Sequence, residues 1–272
     1  MELPLSSGGH RFGWFPKPQK HTAFGLASVP GLKLAPLPAN DYHLAEFRSP
    51  TKDQQNLGAC TAFTGAEDQE AIEKQYHGKT VTLSPLFLYY QERKLNGTIS
   101  QGDCGSDGET SCRALIQTGI CEESIDPYLP AGYQVPPTPA QLTNASQYKS
   151  GAYHSLFTVE DVKLCIISGY RVRLGMFVYQ SFENIGPNGL MPVPNPLKES
   201  TLGGHEILMY AFDDSVKCPN AQYSGAVLTQ NHWGNEFGKN GDFWMPYELL
   251  FPNSVVRPDM KIQHLGPPWG KK

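Results

Sequence analysis

Near residue 151 the chain changes period, and that change limits what it can fold into. From about residue 49, small and apolar residues recur at near-helical spacing; beyond 151 come short apolar runs set apart by turns. The run after Cys60 (Ala62, Phe63, Ala66, Gln69, Ala71, Tyr76) predicts a buried helix that stops at Gly78. Ser84-Pro85 places a cap and a first-turn proline ahead of a helix over 86–95. Further helices are expected over 110–118, after Thr138-Pro139, and from Thr158 to Ile167. Strand-like runs then occupy 171–179, 205–212, 226–230 and 242–245, with turns such as Asp213-Asp214-Ser215 between some of them. A helical half followed by a meander of antiparallel strands is an α+β arrangement, with a cleft between the halves.

Three segments follow from this reading: an extended strap over 1–48, a mainly helical lobe over 49–150 and a β-rich lobe over 151–272. The strap carries scattered prolines (Pro4, Pro16, Pro18, Pro30, Pro36, Pro38) and no sustained periodicity. Its aromatic stretch Arg11-Phe12-Gly13-Trp14-Phe15-Pro16 is expected to dock on the folded body, either as a stabilising strap or as a cover over the cleft.

Charge and length exclude several function classes. A net charge of -4 over 272 residues gives no reason to expect nucleic acid or an anionic membrane as partner. No apolar run approaches the ~18 residues of a membrane span, and no signal peptide is visible at Met1-Glu2-Leu3-Pro4, which leaves localisation open. Among six cysteines, Cys104 and Cys112 flank a short polar loop and are candidates to pair. The spacing of Cys104, Cys112 and Cys121 matches no zinc pattern, and the thiol chemistry read below needs neither a metal nor a cofactor.

The chemistry concentrates at three places. Cys60 opens its helix, where unpaired N–H groups and the macrodipole favour a thiolate, the nucleophilic form. By itself a cysteine there is more often a small buried apolar residue. Gly203-Gly204-His205 puts a histidine at the head of an apolar strand, and Asn231-His232-Trp233-Gly234 follows another. In the order Cys, His, Asn these are what thiol acyl transfer needs: a nucleophile, a proton carrier and an amide that fixes the imidazole. Gln54 supplies a side-chain donor beside the Cys60 N–H for an oxyanion hole.

These elements resemble the papain-like cysteine peptidases. The resemblance runs over roughly residues 50 to 250. It rests on Gln54 and Cys60 of a Gln-x-x-x-x-x-Cys element, on His205 in Gly-Gly-His, and on Asn231, Trp233 and Gly234 of an Asn-x-Trp-Gly element. It also takes in Leu83-Ser84-Pro85-Leu86 and Gly241-Asp242-Phe243-Trp244. It implies a two-lobe fold, with a helical lobe, an antiparallel β-barrel-like lobe and the active-site cleft between them. It implies a thiol peptidase acting on peptides or proteins through a Cys60–His205 thiolate–imidazolium pair oriented by Asn231, with Gln54 in the oxyanion hole and Trp233 as shield. Gly105, Gly108 and Gly204 are candidates to meet a substrate backbone.

Thr61 and Leu57 stand where papain and the cathepsins carry Trp and a disulfide cysteine, which resembles the microbial and viral branch. The roughly 60 residues before Cys60 are fewer than a long cathepsin propeptide, so inhibition would fall to the N-terminal strap. Two departures stand out: His232 replaces a common Ser, and Glu206 replaces a small residue and is expected to point away from His205. The alternatives are a catalytically silent scaffold used for binding, and a Cys-His acyltransferase or amidase.

Overall fold

The computed structural model describes residues 3–17, 36–251 and the backbone of 263–266; strap prolines Pro18 and Pro30 lie outside them. The element order is β1 (Asn40–Asp41), α1 (Cys60–His77), α2 (Pro85–Leu95), α3 (Gly108–Gln117), α4 (Pro139–Ala145), β2 (His154–Ser155), α5 (Val159–Ile167), β3 (Val172–Tyr179), β4 (Thr201–Asp213), β5 (Ala226–Gln230), β6 (Asp242–Pro246) and β7 (Gln263–Gly266). Among the described residues the strands form one open antiparallel sheet, ordered β2-β7-β3-β4-β5-β6, with β1 on the end of β4. The barrel-like closure expected of the β lobe is therefore absent there.

Local signals set the helices. Ser84 caps α2 by accepting from the Phe87 N–H, with Pro85 at the first position. Thr138–Gln141 and Thr158–Asp161 form reciprocal capping boxes for α4 and α5. Gly78 ends α1 in the left-handed region. Helix α3 begins two residues before the sequence expectation, because Asp107 accepts from the Thr110 N–H and turns the polar loop into a cap.

Two large apolar cores result among the described residues. One joins the first half of α1 to α2 and α3 through Phe63, Leu86, Leu88, Tyr89 and Leu115. The other lies on the sheet, where Val172, Leu174, Ile207, Met209, Phe212 and Phe243 pack with α5 and with Phe12 of the strap. Helix α1 runs between the two and buries Glu67, Asp68, Gln69, Glu70 and Glu73 along with its apolar residues.

All six cysteines are free, so Cys104 and Cys112 do not pair. The Cys112 sulfur instead accepts from Arg173 Nη1.

Candidate active site

The polypeptide around Gln54 is zipped to the one around Trp233. Gln54 N–H donates to His232 O (2.9 Å), Gly234 N–H donates to Lys52 O (3.0 Å), and Asp53 bridges Trp233. Trp233 bonds the Gln54 side chain and stands 4.9 Å from the His205 ring, and the Glu206 backbone N–H meets the Cys60 sulfur, so the three buried side chains share one patch. An indole N–H can only donate, so Trp233 Nε1 at 3.2 Å fixes the oxygen end of the Gln54 amide. The amide N–H₂ is thereby turned toward the cleft. Orienting Gln54 is a role for Trp233 that the sequence did not reveal.

The same donor logic fixes the imidazole. Asn231 Oδ1 accepts from the His232 N–H (3.0 Å) and lies 2.8 Å from His205 Nε2. An oxygen there requires Nε2 to carry the hydrogen, which leaves Nδ1 as the base. His205 Nδ1 is buried without a partner.

The strap covers this constellation. Gln54 Nε2 donates to Arg11 O (2.7 Å) and to Leu57 O (2.9 Å). Ser106 N–H donates to Gly13 O, Trp14 N–H to Gly204 O and Phe15 N–H to Ser106 O, at 2.8–3.1 Å. The Trp14–Ser106 bridge is parallel. The Trp14 ring meets Phe177 edge-on, Phe12 stands edge-on to His205 and Trp233, and His10 stacks on Trp233 at 5.1 Å. Cys60 and His205 are each 0% exposed beneath it.

Gly204 lies within β4 rather than ahead of a strand, as the sequence suggested. A Cβ there would fall 2.0 Å from Trp14 O, so the glycine lets a second chain lie against the strand. Gly105 also lies on the strap's path, next to Ser106. Gly108 instead is the buried first residue of α3.

The electrostatics differ from the thiolate–imidazolium expectation. Burial pushes the Cys60 thiol up to about 12, with the Glu206 charge adding to the rise. Backbone N–H groups of Glu206 and Gly13 at the sulfur oppose this without offsetting it. Burial, and then the neighbouring His232, hold His205 well below the ordinary histidine value. Under the strap both groups are neutral, because desolvation outweighs the helix terminus.

Glu206 does point away from His205 on its strand, into the interior. It is 1% exposed and accepts from Arg173 Nε (2.9 Å) and Nη2 (2.6 Å). Arg173 Nη2 also donates to Thr61 O (2.8 Å) and Ser111 Oγ (2.8 Å). One guanidinium thus ties the residue after Cys60 to the residue after His205. The signal available in the sequence was a charged residue inside each of two apolar runs.

His232 lies behind the site, stacked on Phe63 and 4.9 Å from the His205 ring. Its Nδ1 is 3.5 Å from Glu67 Oε2, both groups fully buried. Burial lowers His232 to about 3 and raises Glu67 to about 8, so at neutral pH the pair is largely uncharged. A carboxyl raised on folding contributes most below its unfolded value of about 4.5, and that contribution is lost as pH climbs through the folded value. Glu67→Gln removes the loss. Denaturant unfolding is expected to show it more stable than the parent by about 2 kcal/mol at pH 8. At pH 5 the two should nearly coincide, and an equal difference at both values would contradict the assignment.

No family model matches the chain. An uncharacterized peptidase C1-like protein of Acanthamoeba polyphaga mimivirus is 29% identical over 228 residues, covering 79% of this chain and 70% of that protein. Among solved structures, xylellain, a cysteine protease from Xylella fastidiosa, is similar with a TM-score of 0.79 and 24% identity, covering 100% of this chain and 99% of that one. The proCathepsin B S9 of Trypanosoma congolense (TM-score 0.67, 15% identity, 96% and 87% covered) and the bromelain protease of Ananas comosus in complex with the E64 inhibitor (0.63, 15%, 86% and 100%) share the fold.

Proposed function

We propose that this chain, a relative of the papain-like cysteine peptidases in sequence and in fold, hydrolyses peptide bonds through Cys60 and His205. In the uncovered site Cys60 Sγ passes its proton to His205 Nδ1 and attacks a peptide carbonyl. Gln54 Nε2 and the Cys60 N–H hold the oxyanion. The C–N bond breaks as Nδ1–H protonates the leaving amine, which leaves a thioester. Water then gives a proton to Nδ1 and attacks the thioester, releasing the acid and the thiol. Asn231 keeps the imidazole in the tautomer that leaves Nδ1 free. The observation that carries this reading is a main-chain carbonyl, that of Arg11, held by Gln54 Nε2 in the same patch as Cys60.

The strap is an intramolecular inhibitor in this reading. The oxygen in the grip of Gln54 belongs to Arg11, whereas the backbone N–H at the sulfur belongs to Gly13. The strap thus occupies both the Gln54 amide and the thiol that a substrate would need.

Removing the amide tests the hole. With the strap displaced by Gly13→Val, Gln54→Ala should lower kcat on a peptide substrate by about a hundredfold and change KM little. A loss confined to KM would assign Gln54 to ground-state binding alone.

A further inference from the structure

The Arg11 carbonyl oxygen lies at the Gln54 amide, the side-chain donor proposed for the oxyanion, and the Arg11 side chain shows what lies beside it. From that backbone position the Arg11 side chain lines a cavity of about 700 Å³ together with Asn56, Leu57, Gly102, Asp103 and Tyr133 among others. Its Nε donates to Asn56 O (3.0 Å) and stands 3.4 Å from Asp103 Oδ2. Asp103 is fixed by two neutral donors: Tyr89 Oη–H to Oδ1 (2.5 Å) and the Gly58 N–H to Oδ2 (2.9 Å). Tyr89 is held in turn by the buried Arg93, whose other bonds go to Thr98 and to Gly102 O. Among the described residues the one ion-pair partner of Asp103 is Arg11.

When the strap leaves, Asp103 faces the cavity without the one ion-pair partner it has among the described residues. The groups that meet the guanidinium, Asp103 and the Asn56 carbonyl, are acceptors. Such a wall rewards a donor-only cationic side chain and repels an acid.

We propose that this cavity is the subsite for the residue supplying the scissile carbonyl, and that Asp103 selects arginine, then lysine, at that position. This deepens the peptidase reading and rests on it. The strap would then hold the site partly by presenting the side chain that the substrate presents.

The test uses the full-length Gly13→Val chain and four peptides that differ only at that residue: Arg, Lys, Gln and Glu. The expected kcat/KM for the Arg peptide exceeds that for Gln by about tenfold or more, with Glu the poorest. Asp103→Asn, which keeps the side-chain shape, should shrink the Arg-to-Gln ratio to about threefold or less. A Gln peptide cut as fast as the Arg peptide overturns the proposal, as does a ratio that Asp103→Asn leaves unchanged. If Asp103→Asn fails to fold, the ratio in the parent still decides.

Calorimetric binding of the same peptides to the Cys60→Ala/Gly13→Val chain reads the pocket without turnover. Arg-selective binding with no cleavage of any peptide by the Gly13→Val chain would sink the peptidase reading and leave the subsite standing. Binding without selectivity would overturn the subsite.

Discussion

Replacing Gly13 with valine in the full-length chain raises its rate of peptide hydrolysis by about a hundredfold. The expectation comes from one close approach. A Cβ at position 13 would fall 1.9 Å from Gly58 O, a backbone atom immediately ahead of α1 and unable to yield. Any side chain there must lift the strap, and with it the Gly13–Ser106, Trp14–Gly204 and Arg11–Gln54 hydrogen bonds. If the closed form outweighs the open one by about a hundred to one, that loss converts a rare open state into the main one.

Uncovering also returns water to the thiol. Burial is the largest cause of its rise to about 12, so the pH at which Cys60 becomes reactive should fall in the valine variant. Initial rates and the pH dependence of thiol alkylation measure both effects. An unchanged rate with an unchanged alkylation profile would mean that the strap does not gate the site.

The second large effect is on stability. Arg173→Met leaves Glu206 buried without its cation, and breaking a buried pair in this way costs about 3–5 kcal/mol. The sign with pH follows from the direction of the shift. Burial raises the Glu206 carboxyl above its ordinary value even with Arg173 in place, and losing Arg173 raises it further. Stability associated with a raised carboxyl is present below its unfolded value and is lost as pH rises through the folded value. The Arg173→Met chain should therefore approach the parent near pH 5 and fall far below it at pH 8, by about 10 °C in Tm.

Arg173→Met/Glu206→Leu removes both charges and should recover most of that loss. It should not recover activity, because the bond from Arg173 to Thr61 O is gone and the first turn of α1 is no longer tied to β4. Thermal scans at the two pH values, with kcat/KM on the double variant, separate the two roles. A single variant as stable as the parent at pH 8 would show that the pair is not needed.

Much of this architecture was written locally. The caps at Ser84, Thr138 and Thr158 sit next to the N–H groups they satisfy, and the apolar runs of β3 to β6 carry their own period. Gln54, Cys60, His205 and Asn231 could be singled out because each lies in a short motif, and the fold brings them into one patch. What stayed hidden is non-local. Strands β1 and β2 are two residues long, too short to show alternation, and exist through their partners.

The pairing of Arg173 with Glu206 depends on the β3–β4 register, which places Gly175 opposite Glu206 and Leu208 opposite Arg173. Gly203 and Gly204 read as a strand boundary because glycine disfavours strands, until the strap that lies against them is in view. The thiol was expected low because its neighbours in sequence favour the anion. It is high because residues some 50 positions upstream exclude water from it.

Mass-resolved labelling of the Gly13→Val chain with a peptidyl epoxide bears most directly on the Cys60–His205 pair. Six free thiols compete for the reagent. The predicted result is a single adduct on Cys60, absent from Cys60→Ala and slowed by about a hundredfold in a folded His205→Ala chain. Adducts spread over the other cysteines, or a Cys60 rate that His205→Ala leaves untouched, would contradict the pairing and return the chain to a catalytically silent scaffold.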